Sequence, residues 1–456
     1  MSNSRIIPDF FIDQLLRKSK KDGFIESEVY FGSNQSSQIQ IHNHEVTTYE
    51  SSDTSGISFR GRISEQMGYS FSESFSDKSA DFLITKAREN CIALEEKERE
   101  TLFEGQKNYP EVNNFSQALA DKPIHFFSQL GLELEELILS RDSRIVAVDH
   151  LYISRNSGTE LIRNTLGLHC LSSYNLLNLY VDCRCVSGTQ TKNGYYLWAG
   201  RDPNQFNISE IADNVVERSV QKLGATAISS GKYPIILDSR AAADLLDSFC
   251  GIFSAETVHK GFSLLFGKIN EKISSEILNI RDDSVFSRSL YSSPFDSEGV
   301  AGQSKALIEN GILKSFLHNR KTAAVDHVFS TGNGFRSGYK GSINVSPTNL
   351  YVTEGQKEKA EMMRSMYSGL LITDLSGLHA GTNSISGDFS LSCEGFWVKT
   401  GVIDRPVDQI VVSGNFYSLL QSVLDISKDL YLLPPHDNGS IGSPSLFVEG
   451  LTISGE

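Results

Sequence analysis

The sequence predicts an α+β protein of two domains: an N-terminal antiparallel sheet with helices, and a C-terminal, mainly β domain with a few helices. Its 456 residues exceed the size of about 250–300 residues at which one hydrophobic core stops growing. In the first half, alternating apolar runs stand between helical segments. In the second half, short strand-like runs and Gly-rich turns predominate.

A helix is predicted near the start of the chain. Apolar residues recur at helical spacing from Ile12 to Leu16, and Gly23 suits the left-handed position that ends many helices. A helical period returns from Phe82 to Leu94 on a highly charged segment. Between these helices, three short alternating runs predict half-buried antiparallel strands: residues 29–31, 39–41 and 57–59.

The middle of the chain contains strands, one long helix and the expected domain boundary. Residues 145–199 alternate strand-like pieces with polar turns, and apolar residues then line one face of a helix that ends at Gly224. The stretch 225–232, rich in Ser, Ala and Gly, is the expected boundary. We therefore predict an N-terminal domain over residues 1–228 and a C-terminal domain over residues 229–456.

Beyond the boundary, a buried strand leads into a capped helix. Residues 233–237 are mostly apolar and of strand length, and Asp238 or Ser239 caps a helix whose apolar residues repeat at helical spacing. Further helices are predicted near residues 358–366 and after Ser413.

Charge and composition exclude several classes of protein. The net charge of -14 argues against direct, sequence-independent nucleic-acid binding, which needs a surface rich in lysine and arginine. No apolar run reaches the 18 residues of a membrane span, and residues 1–22 lack the apolar segment of a signal peptide. The six cysteines form no CxxC pair. We therefore expect a cytoplasmic protein with reduced thiols and no membrane segment.

Five segments of the second half have distinctive sequences. They are Tyr-Pro-Ile-Ile-Leu-Asp-Ser-Arg at 233–240, Phe-Asp-Ser-Glu-Gly at 295–299, Leu-Ile-Glu-Asn-Gly-Ile-Leu-Lys at 307–314, Thr-Gly-Asn-Gly at 331–334 and Ser-Gly-Asp-Phe-Ser-Leu at 386–391. In this order, the five segments resemble those of the TldD/PmbA family. The segment Ser-Gly-Asp-Phe-Ser and the Gly-Phe-Trp that follows it resemble the TldE/PmbA branch in particular.

The resemblance implies a comparison with the family's catalytic branch, TldD. That branch has His-Glu-x-x-x-His on a helix and a cysteine near the C-terminus. The two histidines bind Zn²⁺, and the glutamate takes a proton from the water bound to the metal. Counted back from Gly261 without gaps, the motif falls here on Leu246, Asp247 and Gly251. The C-terminal region contains His436 but no cysteine. These degenerate positions imply no catalytic residue and no zinc in this chain.

Other candidate side chains each have two interpretations. His42 and His44 have the spacing of metal ligands on one strand face, or they belong to an exposed turn. Cys183 and Cys185 alternate along a strand pattern, as packing residues or as a redox or metal pair. Cys250 is either a residue of the helix packing or a thiol nucleophile.

Two turn-like segments are candidates for a peptide cleft or a partner surface. The segment 331–334 lacks the GxxxxGK[ST] spacing of a phosphate loop, so we interpret it as a tight turn beside the cleft. The segment 386–389 either takes part in binding or is only a β-turn or bulge in which Gly387 permits positive φ. The residues are Gly332, Asn333, Gly334, Ser386, Gly387, Asp388 and Phe389.

The resemblance implies a non-catalytic, TldE/PmbA-like subunit of a TldD/TldE-type metallopeptidase complex that processes unfolded or flexible peptides. Zinc is expected only in the TldD-like partner. The alternative is an autonomous homodimer that binds peptides or proteins without catalysis, in agreement with the family's label as a modulator of DNA gyrase. A third possibility is a specialised enzyme with a relocated site.

Overall fold

A computed structural model describes residues 7–93 and 101–456. The helices are α1 Asp9–Lys21, α2 Asp77–Ala93, α3 Gln117–Ala120, α4 Ile124–Arg141, α5 Ile208–Val220, α6 Ser239–Phe249, α7 Ala255–His259, α8 Arg320–Asp326, α9 Lys359–Met366, α10 Leu378–Gly381 and α11 Phe416–Gln421. Among the described residues, none of these helices is long and apolar enough to cross a membrane.

The strands form two groups, six long ones before residue 201 and shorter ones after residue 230. They are β1 Glu26–His42, β2 Glu45–Ile63, β3 Gln66–Ser72, β4 Ile145–Asn164, β5 His169–Ser187, β6 Gln190–Gly200, β7 Gly231–Lys232, β8 Ile235–Leu237, β9 Ile280–Asp283, β10 Ser304–Glu309, β11 Ile312–Leu313, β12 Gly334–Phe335, β13 Asn344–Val345, β14 Leu350–Val352, β15 Ser368–Ser376, β16 Asp388–Lys399, β17 Val402–Asn415, β18 Val423–Ile426, β19 Tyr431–Leu432, β20 Ile441–Ser443, β21 Leu446–Val448 and β22 Thr452–Ser454.

The N-terminal domain is one antiparallel sheet of six strands in the order β3-β2-β1-β4-β5-β6. The runs predicted at 29–31 and 39–41 are one strand, β1, so the prediction of separate short strands is wrong. The polar stretch between them continues the ladder, since Gln35 pairs with Asp53 of β2 on one side and Ser157 of β4 on the other. Pairing with β2 and β4 thus holds these polar residues in a strand, although their intrinsic propensity for strands is weak.

Helices cover one face of this sheet in two groups. Helices α1 and α2 bury their apolar sides against β1 and β2, and α4 and α5 do the same mainly against β4 and β5. Helix α4 crosses β1 closely, because a Cβ on Gly131 would lie 2.2 Å from the Ile41 side chain. The predicted helix at 82–94 is α2, except that Leu94 lies outside the described residues, as do the first six residues of the segment 1–22.

The C-terminal part is mostly β and confirms the predicted fold class. An eight-stranded sheet has the order β18-β21-β8-β15-β16-β17-β22-β7, and a six-stranded sheet has the order β11-β10-β9-β14-β20-β19. Helix α6 and the surrounding strands share one large apolar core. The chain enters the eight-stranded sheet at β7, shortly after the boundary at 228/229, which stays a prediction.

The C-terminal domain also covers part of the N-terminal sheet. The ring of Tyr339 lies so close to β2 that a Cβ on Gly56 would be 2.4 Å from it. Two further contacts join the domains: the Tyr109 hydroxyl donates to the Gly299 carbonyl at 2.7 Å, and Asn114 Nδ2 donates to the Ser292 carbonyl at 2.5 Å. The cleft described below lies along this junction.

Candidate functional site

Helix α6 begins directly after strand β8 and contains Leu246 and Asp247, two of the three positions on which the zinc motif is predicted to fall; the third, Gly251, lies just past the end of the helix. The Asp238 side chain accepts a hydrogen bond from the Arg240 backbone N–H, which confirms the predicted cap. Leu246 is only 3% exposed and points into the main apolar core. Phe249, one turn further on, stacks on Phe416 with ring centroids 4.6 Å apart. The first degenerate position is therefore part of the packing of the domain.

The other end of the C-terminal domain returns to this helix. After β19, the segment 433–438 brings His436 to Asp247, with 3.4 Å between Nε2 and Oδ1. Both side chains are partly exposed. The hydrogen bond to Asp247 raises the pKa of His436 above its ordinary value of 6.5. The second degenerate position thus forms an ion pair with the histidine noted in the sequence.

The side chains at these positions do not fit a tetrahedral zinc site. Such a site needs at least three protein donors, whereas Leu246 is apolar and buried and Gly251 has no side chain. Asp247 and His436 remain as two donors that bind each other. Cys250 is a poor substitute, because burial raises the pKa of its thiol to about 12. Among residues 7–93 and 101–456, no group of three or more His, Cys, Asp or Glu is placed to hold a metal ion.

A cleft with two adjoining cavities lies between the N-terminal sheet and the C-terminal domain. The first, of about 620 Å³, has Ser58 of β2 on one side and Glu298 on the other. The second, of about 570 Å³, has Glu160 of β4 on one side and Asp437 on the other. Tyr339 lines both cavities. Because Asp437 follows His436, the segment that meets α6 also forms part of the cleft wall.

Two of the family-like segments pack against each other, and one of them brings Glu298 to the first cavity of this cleft. The Gly334 backbone N–H donates to Asp296 at 2.9 Å, and a Cβ on Gly334 would lie 2.6 Å from Glu298 Oε2. Asn333 is fully buried and donates to Asp282 at 3.0 Å. Gly332 has φ of +71° and faces the Ala301 carbonyl, a conformation and a spacing that favour glycine. The segment 331–334 therefore packs behind Glu298, none of its residues lines either cavity, and its role in peptide or partner binding stays a prediction.

Glu298 and Arg336 are cleft residues that sequence reasoning missed. Burial raises the pKa of the Glu298 carboxyl, and the charge of the neighbouring buried Asp296 raises it further. Arg336 is 8% exposed, lines the second cavity, and donates from Nη1 to Ser58 at 3.0 Å. Its guanidinium carbon lies 4.7 Å from the centre of the Tyr30 ring. Their position in the sequence could have indicated them, since Glu298 lies inside the family-like segment 295–299 and Arg336 lies just after the segment 331–334.

The segment 386–389 lies in a turn that leads into β16. Gly387 has φ of +84°, and a Cβ there would lie 2.5 Å from the Tyr417 ring. Asn415 Nδ2 donates to the Ser386 carbonyl and to Asp388 Oδ1, both at 2.8 Å. Phe389 is buried beside Phe249 of α6. These contacts favour the structural interpretation of the turn. The four residues lie outside the linings of both cleft cavities, and their role in peptide binding stays a prediction.

The remaining candidates occupy packing or turn positions. Cys183 and Cys185 are buried on β5 against α5, where both sulfur atoms contact Ser219, at 3.0 Å from its hydroxyl and 3.3 Å from its carbonyl oxygen. His44 lies in the turn between β1 and β2, and its backbone N–H donates to Glu135 at 2.7 Å. The geometry therefore favours the packing interpretation of the cysteines and the turn interpretation of the histidine.

Two family models match the sequence. The PmbA/TldA metallopeptidase C-terminal domain matches residues 230–455, and the PmbA/TldA metallopeptidase domain 1 matches residues 27–91. The chain is also similar to a metalloprotease PmbA homolog of Haemophilus influenzae, with 26% identity over 74% of this chain and 71% of that protein.

Solved structures cover nearly the whole chain. A Thermotoga maritima protein described as a candidate modulator of a DNA gyrase is 30% identical, with a TM-score of 0.90, over 98% of this chain and all of that one. TldE from Thermococcus kodakarensis has a TM-score of 0.88 over the same shares at 22% identity, a likeness that shows the fold alone.

Proposed function

Because the chain belongs to the PmbA/TldD metallopeptidase family, we propose that it is a non-catalytic, TldE/PmbA-like subunit of a cytoplasmic metallopeptidase complex. In this complex a TldD-like partner supplies zinc, the bound water and the general base. This chain supplies part of the wall that holds an unfolded or flexible peptide. Each subunit thus has a different task, and hydrolysis requires both.

The proposal is carried by the side chains on and near helix α6. A catalytic zinc site holds its metal through three protein donors and leaves one position for water. Here Leu246 faces the apolar core, Gly251 has no side chain, and Asp247 is occupied by His436. With one carboxylate and one imidazole bound to each other, the helix has no evident means of activating water. The catalytic step is therefore assigned to the partner.

The cleft supports the peptide-holding role. Its two adjoining cavities are lined mainly by serine, asparagine, tyrosine and glycine, residues that offer hydrogen bonds without selecting one side chain. A peptidase that accepts flexible chains needs contacts of this kind, because they bind the peptide backbone and leave its sequence free.

The test is reconstitution with a TldD-like subunit and a fluorogenic unfolded peptide. We expect hydrolysis from the mixture and none from this chain alone, with or without added zinc. Changing the motif glutamate of the partner should abolish activity. The matched change here, Asp247→Asn, should leave at least about half of it, because the amide oxygen still accepts a hydrogen bond from His436.

Two results would contradict the proposal. One is chelator-resistant hydrolysis by the isolated chain. The other is loss of activity of the complex on Asp247→Asn while the complex stays assembled. Elemental analysis of the isolated chain provides an independent measurement, for which we expect well below one zinc per chain.

A second function, a homodimeric peptide- or protein-binding modulator without catalysis, is favoured by one observation. The Thermotoga maritima relative, 30% identical along its whole length, is described as a candidate modulator of a DNA gyrase. Under this alternative, the isolated chain would sediment as a dimer and would change the supercoiling rate of purified gyrase without a TldD-like partner. No change in that rate would leave the peptidase-subunit proposal as the better one.

A further inference from the structure

A cavity of about 300 Å³ lies apart from the cleft, where β6 and α5 of the N-terminal sheet meet α6, β15 and α9. Its lining contains four cationic side chains, Arg218, Lys222, Arg240 and Lys359. The chain as a whole is acidic, with a net charge of -14. The acidic composition of the chain therefore does not by itself explain why four cationic side chains lie at this junction.

The two lysines are neutralised by acids of the same neighbourhood. Lys222 Nζ lies 2.8 Å from Glu394 and 3.6 Å from Asp374. Lys359 Nζ lies 2.5 Å from Asp238, the residue that caps α6. These pairs account for both acidic residues of the lining, Asp238 and Asp374. The two arginines are left as the source of positive charge in the cavity.

Arg240 is buried without its full set of hydrogen bonds. It is 7% exposed, and its Nε and Nη1 have no hydrogen-bond partner among the described residues. The Asp244 carboxylate lies 4.0 Å from Nε, beyond hydrogen-bonding distance. Asp244 is therefore an ion-pair partner of Arg240 that leaves these two nitrogen atoms without a hydrogen bond within the described part of the chain. A guanidinium group buried in this way is costly unless something binds it.

Aromatic rings orient both guanidinium groups. The Arg240 guanidinium carbon lies 4.1 Å from the centre of the Tyr195 ring, and that of Arg218 lies 5.2 Å from the centre of the Tyr196 ring. A guanidinium packed on a ring keeps its N–H edge available, and that edge matches the two oxygens of a carboxylate or phosphate. The rings thus hold both guanidinium groups in the lining of the cavity.

We propose that this cavity binds an oxyanion, the phosphate or carboxylate group of a small ligand, between Arg240 and Arg218. The volume of about 300 Å³ is at the lower end of small-molecule pockets, which suits one anionic group with a short attached body. The ligand is bound at the junction of the two domains, so its occupancy stabilises their contact. This site is independent of the proposed peptidase role.

The test is isothermal titration calorimetry of the full chain at constant ionic strength. Three probes are used: inorganic phosphate, citrate, and a short peptide with a free C-terminus compared with its amidated form. We expect saturable binding of about one phosphate or carboxylate ligand per chain. Arg240→Gln and Arg218→Gln should each weaken it at least tenfold. The control is Arg364→Gln, an exposed position of α9 outside the lining, which should change affinity less than twofold.

The comparison of probes identifies the source of the anion. Tighter binding of phosphate supports a phosphorylated ligand, and loss of peptide binding on amidation supports a carboxylate. If Arg240→Gln fails to fold, Arg240→Lys and the partly exposed Arg218→Gln decide the question, with circular dichroism as the check on folding. The proposal is overturned if no probe binds saturably, or if binding to the folded Arg218→Gln variant equals that of the unchanged chain.

Discussion

Placing histidines at Leu246 and Gly251, the two positions on which the motif histidines are predicted to fall, should have very unequal costs. Leu246 is 3% exposed within the main core. Removing a buried leucine side chain to alanine costs about 2–5 kcal/mol, and a buried imidazole needs hydrogen-bond partners that an apolar core does not offer. We therefore expect Leu246→His to lower the free energy of unfolding by at least about 2 kcal/mol.

Gly251→His should be nearly neutral. A Cβ built on Gly251 has no heavy atom within 4 Å, and the backbone is not in the left-handed region. A substitution into open space at the surface usually changes stability by less than about 0.5 kcal/mol. The difference between the two variants, about 1.5 kcal/mol or more, follows from burial alone.

The assay is urea unfolding of both single variants and the double variant, with Leu246→Ala as the control for lost packing. Zinc content and peptide hydrolysis are measured on the same samples. The double variant should remain without peptidase activity, because Asp247 stays bound to His436 and the third ligand is missing. Equal destabilisation by the two single changes, or robust hydrolysis by the double variant, would refute this reasoning.

Three further predictions concern a turn, the cleft and the ion pair. Gly387→Val should lower the free energy of unfolding by more than Gly450→Val. Both glycines have φ near +85°, but only Gly387 faces a ring, that of Tyr417. Equal losses for the two variants, measured by urea unfolding, would contradict this prediction. Glu298→Gln should stabilise the protein relative to the unchanged chain, and this gain in the free energy of unfolding should be larger at pH 8 than at pH 5. Burial raises the pKa of this carboxyl, so its contribution is present below the unfolded pKa and lost as pH rises through the folded one, by about 1.4 kcal/mol per pKa unit, which unfolding at both pH values tests. Asp247→Asn should lower the pKa of His436, which an NMR titration measures; an unchanged pKa would show that the pair does not form.

A bulky residue at Gly387 should disturb the fold itself. The turn that contains it depends on a left-handed backbone and on Asn415 bonding to both sides of it. Impaired peptide processing in such a variant would therefore not separate a binding role from a folding role. Asp388→Asn is the better probe of binding, because the exposed side chain loses its charge but keeps an oxygen that can accept the hydrogen bond from Asn415.

Local patterns predicted the local elements well. Helix α6 follows from Asp238 as its cap and from apolar residues at helical spacing, since both signals act within a few residues. The long strand β1 could not be predicted from its Ser- and Gln-rich centre, because pairing with β2 and β4 holds it in place. Helix α4 was not predicted either, although its glycine at the contact with β1 is required by the packing.

The site was less accessible to sequence reasoning, for a physical reason. Its charged residues acquire their properties from burial, and burial is decided by distant parts of the chain. Glu298 has a raised pKa because it is buried next to Asp296, and Arg240 leaves Nε and Nη1 without hydrogen bonds to any described residue where it packs on Tyr195 of β6. The contact between Asp247 and His436 joins the two ends of the C-terminal domain. No local spacing encodes these contacts.

Under the proposed function, the ion pair with His436 gives Asp247 a positioning task in place of a chemical one. His436 precedes Asp437 and Asn438, which line the second cavity of the cleft, so fixing His436 to α6 also fixes that wall. The carboxylate at 247 provides that contact with one hydrogen-bond acceptor. Asparagine supplies the same acceptor and alanine supplies none, so a cleft that tolerates Asp247→Asn but loosens with Asp247→Ala is the behaviour that this arrangement requires.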